Sequence, residues 1–164
     1  MSKLTDFQKH KSTVWVGIDP GATGAIAVLQ ANNLTITTLK DEREALDELR
    51  RISKLPGQVF VLLEEVHSMP RQGVVSSFTF GRNFGVVIGM VMACDLSLQL
   101  MRPQRWLKEL GIRPRKKTES KTEWKKFLAA TAKRMYPKFQ SINQQNADSV
   151  LIATACRRLF NVKD

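Results

Sequence analysis

Val59-Phe60-Val61-Leu62-Leu63 is an unbroken apolar run, bounded by Pro56-Gly57 before it and Glu64-Glu65 after it. It is too short for a helix, and it does not alternate between apolar and polar residues. It therefore reads as a strand buried on both faces, which demands a covering layer on each side of its sheet. A chain of 164 residues with 43% hydrophobic content can bury one such core and not two comfortable ones. The expectation is one α/β domain over residues 13–160, preceded by a polar, flexible lead-in over residues 1–12.

The remaining elements follow from period and punctuation. Val14–Ile18 is a short β-rich run that ends at Asp19-Pro20-Gly21, a strong turn signal. Gly24–Leu29 and Leu34–Leu39 predict two more strands, joined by the turn residues Asn32-Asn33, so the first three strands form an antiparallel meander. From Asp41 to Lys54 the period changes. Leu46, Leu49 and Ile52 recur at i, i+3 and i+6 among charges, which predicts an amphipathic surface helix. After the turn-rich stretch 68–73, Val74 to Cys94 mixes Gly81, Gly85 and Gly89 with aliphatic residues and places a smooth stripe on one helical face. Leu96–Met101 reads as a strand, and Pro103–Leu110 as a short helix with proline at its first position. Ser120 with Glu123 forms a capping box that opens a helix toward Met135, and Asn146–Phe160 is a last helix.

Three carboxylates stand where elements end. Asp19 closes the first strand, Glu64 closes the buried one, and Asp148 lies in the first turn of the last helix. Taken singly, Asp19 reads as a turn former and Asp148 as a carboxylate facing the helix dipole. Glu64 needs a compensating partner, because it directly follows five buried positions. If the first and fourth strands are neighbours, Asp19 and Glu64 share one end of the sheet, and the last helix brings Asp148 against them. Such a cluster is costly unless divalent cations occupy it. Two hard cations roughly 3.5–4 Å apart would activate a water and stabilise the leaving oxygen of a phosphodiester. Glu65, one position on, faces the other way.

Charge supports a polyanionic partner. The formal net charge is +11, from 26 Lys+Arg against 15 Asp+Glu, which points to nucleic acid ahead of anionic membrane. Ten cations crowd between Arg102 and Lys126 against Glu109, Glu119 and Glu123, a density that neutralises several phosphates. Cys94 and Cys156 stand far apart with no CxxC spacing, against a zinc site or disulfide framework. The polar N-terminus lacks a secretory core, and no apolar run approaches the ~20 residues that span a bilayer. The expected setting is the cytoplasm, with no membrane partner.

Three segments, taken in order, resemble the RuvC family of Holliday-junction resolvases within the RNase H-like superfamily. They are Gly17-Ile18-Asp19-Pro20-Gly21 with Gly24-Ala25, then Leu63-Glu64-Glu65-Val66, then Ala147-Asp148-Ser149-Val150-Leu151-Ile152-Ala153. The stretches Gln72 to Phe78, Phe80-Gly81-Arg82 and Pro103-Gln104-Arg105-Trp106-Leu107-Lys108 look like the family's short phage and organellar branch. The resemblance implies an RNase H-like α/β fold, with a mixed five-stranded sheet flanked by helices. It further implies a homodimer and Mg²⁺-dependent cutting of symmetric strands at four-way junctions, with Mn²⁺ able to substitute. Asp19, Glu64 and Asp148 would be the metal ligands and catalytic residues. Lys121 resembles the family lysine near the scissile phosphate.

The residues around these segments suggest the DNA contacts. Arg71, Gln72, Gly73, Ser76, Ser77, Phe78 and Arg82 follow the catalytic glutamate at the rim of the cleft, with His67 as an outer-shell residue. Arg105, Lys108, Arg115, Lys116, Lys117 and Lys121 carry phosphates. Phe78 and Phe80 have a competing reading as the start of a helix core face. The glycine-spaced helix is the expected dimer surface, because two-fold cutting needs a two-fold protein. The family's fourth acid, three or four residues before the last one, is missing: Gln144 and Gln145 stand there, flanked by Asn143 and Asn146. A catalytically impaired branched-DNA-binding protein of the same fold is therefore an alternative. A nuclease acting on flap or RNA-containing substrates is another, since fold does not fix substrate. A nucleotide phosphotransferase of the actin or hexokinase kind shares the Asp-x-Gly turn but uses two similar lobes and far more chain.

Overall fold

The structure, a computed structural model, describes residues 13–65 and 73–161. The lead-in 1–12 and the sequence-predicted residues His67, Arg71 and Gln72 lie outside the described residues. Strands β1 (Val14–Asp19), β2 (Ala25–Gln30) and β3 (Asn33–Thr38) form the expected meander, antiparallel throughout. Its second turn is Ala31-Asn32 and not Asn32-Asn33: Gln30 pairs with Asn33, and Ala31 takes a φ of +52°. β4 (Val59–Glu64) pairs parallel with β1, and β5 (Leu98–Met101) pairs parallel with β4, giving the order β3-β2-β1-β4-β5.

Side-chain parity divides the core in two. Val14, Val16, Ile18, Val61 and Leu63 point to one face, where helices α1 (Glu42–Ser53) and α2 (Val74–Ala93) lie. Trp15, Ala27, Leu29 and Leu62 point to the other, against α3 (Pro103–Glu109), α4 (Lys121–Met135) and α5 (Ala147–Phe160). This is why the β4 run is apolar at every position. α1 is capped by Asp41, whose side chain accepts from the backbone N–H groups of Arg43 and Glu44. Its buried stripe is Ala45, Leu49 and Ile52, with Leu46 only half-buried, so the period is 3.6 and not the strict three read from the leucines.

Helix α2 corrects one expectation. It is 20 residues long with a mean hydropathy of 1.4, sufficient by length and composition to cross a membrane. The sequence hides this because Ser76-Ser77, Thr79 and Arg82-Asn83 interrupt the apolar run while the average stays high. In the fold, Val87 and Val91 bury one side of α2 against the sheet, and Arg82 pairs with Glu42 of α1 at 2.7 Å.

Candidate active site

Three elements converge at one end of the sheet. Gly17 pairs with Leu62 and Ile18 with Leu63 across β1 and β4, so the next step sets Asp19 beside Glu64. Both share parity with Gly17 and Leu62, on the face that α5 covers. α5 crosses β1 directly over Gly17. A methyl group there would overlap the Ala153 backbone nitrogen and the Ser149 carbonyl oxygen, so only glycine permits the crossing. That close approach carries Asp148, one residue before Ser149, to the two strand-end carboxylates. Every residue from Ala147 to Cys156 is buried, and each large aliphatic side chain among them contributes about 1.5–3 kcal/mol of burial.

The three acids feel one another. Burial first, then the Asp19 and Asp148 charges, push the Glu64 carboxyl up to about 8. Asp19 is likewise raised, by burial and then by Asp148. Directed hydrogen bonds hold both groups. Trp106 Nε1 donates to Glu64 Oε2 at 2.9 Å, and the Gly21 amide donates to Asp19 Oδ1 at 3.0 Å. Gly24 donates in turn to the Gly21 carbonyl at 2.8 Å, closing the turn beneath Asp19.

The cation inside the cluster is Lys125. Its Nζ donates to Asp148 Oδ2 in an ion pair, and its charge also acts on Asp19 and Glu64. Burial opposes that charge, but the three carboxylates outweigh it, so the ammonium is held above its ordinary value. Lys121, the lysine suggested by resemblance, stands exposed at the first position of α4, one turn before it. Lys125 and Trp106 are the two site residues that the sequence reading did not assign a role. A signal existed for the first: Leu128, Ala129 and Ala132 are buried at i+3, i+4 and i+7 from Lys125, which puts it on the inward face of its helix. Trp106 carried a weaker one, as the aromatic residue of a short helix directly after the strand beside β4.

The amides do not replace a missing acid. Asn146 Oδ1 accepts from the Asn143 amide at 2.8 Å, and Asn143 Oδ1 accepts from Gln145 and Asn146 at 2.8 and 3.3 Å. These reciprocal bonds shape the start of α5 and occupy both side-chain oxygens. Gln144 and Gln145 are exposed, and Gln145 lines a separate depression with Thr23, Lys40 and Ser141. Within the cluster, Asp148 Oδ1 is buried and has no hydrogen-bond partner. An orphaned carboxylate oxygen among hard oxygen donors fits a divalent cation of the Mg²⁺ type. The spacing does not close into a cage: among the described residues, no group of three or more metal-ligating side chains stands ready to hold an ion.

The basic segment divides by what each charge touches. Arg102 pairs with Glu65 at 3.3 Å, on the far side of β4 from the site. Arg113 makes two bonds to Glu119, at 2.9 and 2.8 Å, and stacks over Phe127 at 4.3 Å. It pins the loop before α4, while Lys125 belongs to the cluster. Arg105, Lys108, Arg115, Lys116, Lys117, Lys121 and Lys126 are exposed and form no ion pair among the described residues. On α2, Gly73 and Ser76 are exposed and Ser77 is half-buried, while Phe78 is 75% exposed and Phe80 half-buried. Neither ring joins the core: the packing of this helix on the sheet begins at Phe84, and Phe80 lines a surface depression with Ala22 and Ser76. Ser76 and Arg82 line depressions that reach Ala22, beside the Asp19 turn. Gly81, Gly85 and Gly89 have nothing near them.

No protein-family model matches the chain, and no curated protein sequence matches it. Solved structures do. Thermus thermophilus RuvC in complex with a Holliday junction substrate superposes with a TM-score of 0.57 at 15% identity, over 91% of this chain and 95% of that one. A structure of Thermus thermophilus RuvC superposes at 0.53 with 17% identity, over 90% and 95%. The mixed sheet of order 3-2-1-4-5, with five helices among the described residues, is the RuvC-like, RNase H-like fold.

Proposed function

We propose that this chain is a divalent-metal-dependent endonuclease that resolves four-way DNA junctions. The observation that carries the reading is the convergence of Asp19, Glu64 and Asp148 from β1, β4 and α5, with Asp148 Oδ1 buried and unpartnered. Asp19, Glu64 and Asp148 would hold Mg²⁺, or Mn²⁺ in its place. When bound, that ion lowers the pKa of a water and draws charge from a phosphodiester oxygen. The chain's own groups do the rest. Trp106 and the Gly21 amide orient two of the carboxylates, Lys125 steadies the third, and the water-excluding floor of α5 strengthens each interaction.

Exposed Arg105, Lys108, Arg115, Lys116, Lys117 and Lys121 supply the charge that holds phosphates, and affinity should fall steeply with salt. Junction DNA as substrate is further supported by the likeness to a RuvC structure that contains one. We assign the exposed face of α2 to a second copy of the chain, since Val74, Val75 and Phe78 stand 86%, 80% and 75% exposed in one patch.

A second reading has its own support. The Lys125–Asp148 pair and the absence of a closed cage among the described residues favour a branched-DNA-binding protein that does not cut. One experiment separates them: a labelled four-way junction, a flap, an RNA-containing duplex and linear DNA, each incubated with Mg²⁺, Mn²⁺ or chelator. Paired symmetric nicks in the junction are expected, and binding without cutting in either metal would establish the second reading. Asp19→Asn should lower cutting by about a thousandfold or more while leaving junction binding within about twofold. Loss of binding with it would make Asp19 structural.

A further inference from the structure

Lys125 occupies a built position. Trp124 and Phe127 stack at 5.4 Å on either side of it in sequence, and Arg113 lies over both rings. The capping box of Ser120 and Glu123 fixes the helix start one turn earlier. The Lys125 side chain is 38% exposed and its partner Asp148 12% exposed, so the pair is shielded more than a surface salt bridge. The two oxygens of Asp148 have different fates. Oδ2 accepts from the ammonium, and Oδ1 has nothing. When Asp19, Glu64 and Asp148 are all ionised, as ligands to an ion must be, the one ammonium of Lys125 leaves two negative charges, the charge that one divalent ion carries. The amides of residues 143–146 add no further charge.

We propose that the Lys125 ammonium takes the place of a second cation, so that the cluster binds a single divalent ion per chain, through the Asp148 oxygen that Lys125 leaves free. The inference rests on the cluster being a cation site, as the proposed function requires. Lys125 is on this view a positioning residue. It holds Asp148 in one orientation and weakens ion binding by like-charge repulsion, which also keeps a second ion out.

Mn²⁺ titrated into the full native chain, followed by calorimetry and by electron paramagnetic resonance, tests this at one fixed pH. The native chain should bind one ion, with the spectrum of an isolated Mn²⁺. Lys125→Met, close in length and uncharged, should bind it at least about fivefold tighter, and Lys125→Arg should return the affinity to native. Should Lys125→Met fail to fold, Lys125→Gln reads the same quantity. Two ions in the native chain, seen as a coupled pair, would overturn the proposal. So would a gain of less than about fivefold in the neutral variant, which a merely structural salt bridge predicts. Asp148→Asn separates the two claims. If the native chain binds no ion, or Asp148→Asn binds it as well as native, the cation site itself is wrong. If Asp148→Asn loses the ion while the neutral Lys125 variants match native, only the role of Lys125 fails.

Discussion

Helices α5 and α2 lie on opposite faces of the same sheet, and glycine marks both, in the strand beneath α5 and along α2 itself, yet they are packed in opposite ways. α5 is buried from Ala147 to Cys156 and presses its backbone onto Gly17. α2 buries only Val87 and Val91, and an added Cβ at Gly81, Gly85 or Gly89 would meet nothing within 4 Å. A glycine in sequence therefore marks a permitted approach and does not say what approaches. On the α5 side the chain supplies its own partner and, in doing so, assembles the carboxylates. On the α2 side it leaves a smooth apolar surface with Phe78 and Met92 at 75% and 67% exposure, the surface assigned above to a second copy.

That contrast can be broken by substitution. Gly17→Ala should be the most damaging small change in the molecule, costing about 3–5 kcal/mol, because backbone and not a flexible side chain must move. Urea unfolding would show it, and a loss under about 1 kcal/mol would mean that α5 does not pack as described. Gly85→Arg adds far more bulk and should leave the fold intact, with unchanged circular dichroism. Its effect should appear as a dimer constant weakened by at least about tenfold, roughly 1.4 kcal/mol, in sedimentation. If Gly85→Arg associates as the native chain does, the α2 face is not the dimer surface.

The smallest expected effect sharpens the contrast by pH. In the folded, metal-free chain Glu64 keeps its proton up to about 8, whereas the unfolded carboxyl loses it near 4.5. Between those values the folded state holds more protons, so stability falls as pH rises. The contribution is whole below the unfolded value and gone above the folded one. Thermal midpoints in chelator should drop across that window, and Glu64→Gln should flatten the slope. Gly85→Arg, distant from the carboxylates, should leave the slope unchanged. If native and Glu64→Gln chains share one slope over the same range, Glu64 is neither buried nor crowded by the other acids as described.

Much of this was legible beforehand. The five strands, the capping box at Ser120 and the proline-led α3 follow from local signals, and the structure bears them out. β1 and β4 do pair, which meets the condition under which Asp19 and Glu64 share one end of the sheet. Less legible were features that depend on averages or on partners. α2 passed as an interrupted run because single polar residues break a pattern without lowering its mean hydropathy much. The Ala31 turn was misplaced by one residue, since asparagine pairs signal a turn without fixing its register. The sequence shows only that amides stand at 143–146 where the resemblance implies an acid, and the fold spends Asn143 and Asn146 on one another.

By itself the sequence determined which residues end the strands, which faces are apolar and, through strand parity, that Glu65 looks away from Glu64. These are local consequences of a two-residue and a 3.6-residue repeat. Only the tertiary structure decided that Lys125 and not Lys121 enters the cluster, that Trp106 reaches Glu64, and that one oxygen of Asp148 is left without a partner. Those facts depend on where α4 and α5 cross the sheet. The crossing is set by how closely two backbones can pass at Gly17, a distance that no pattern along a single chain contains.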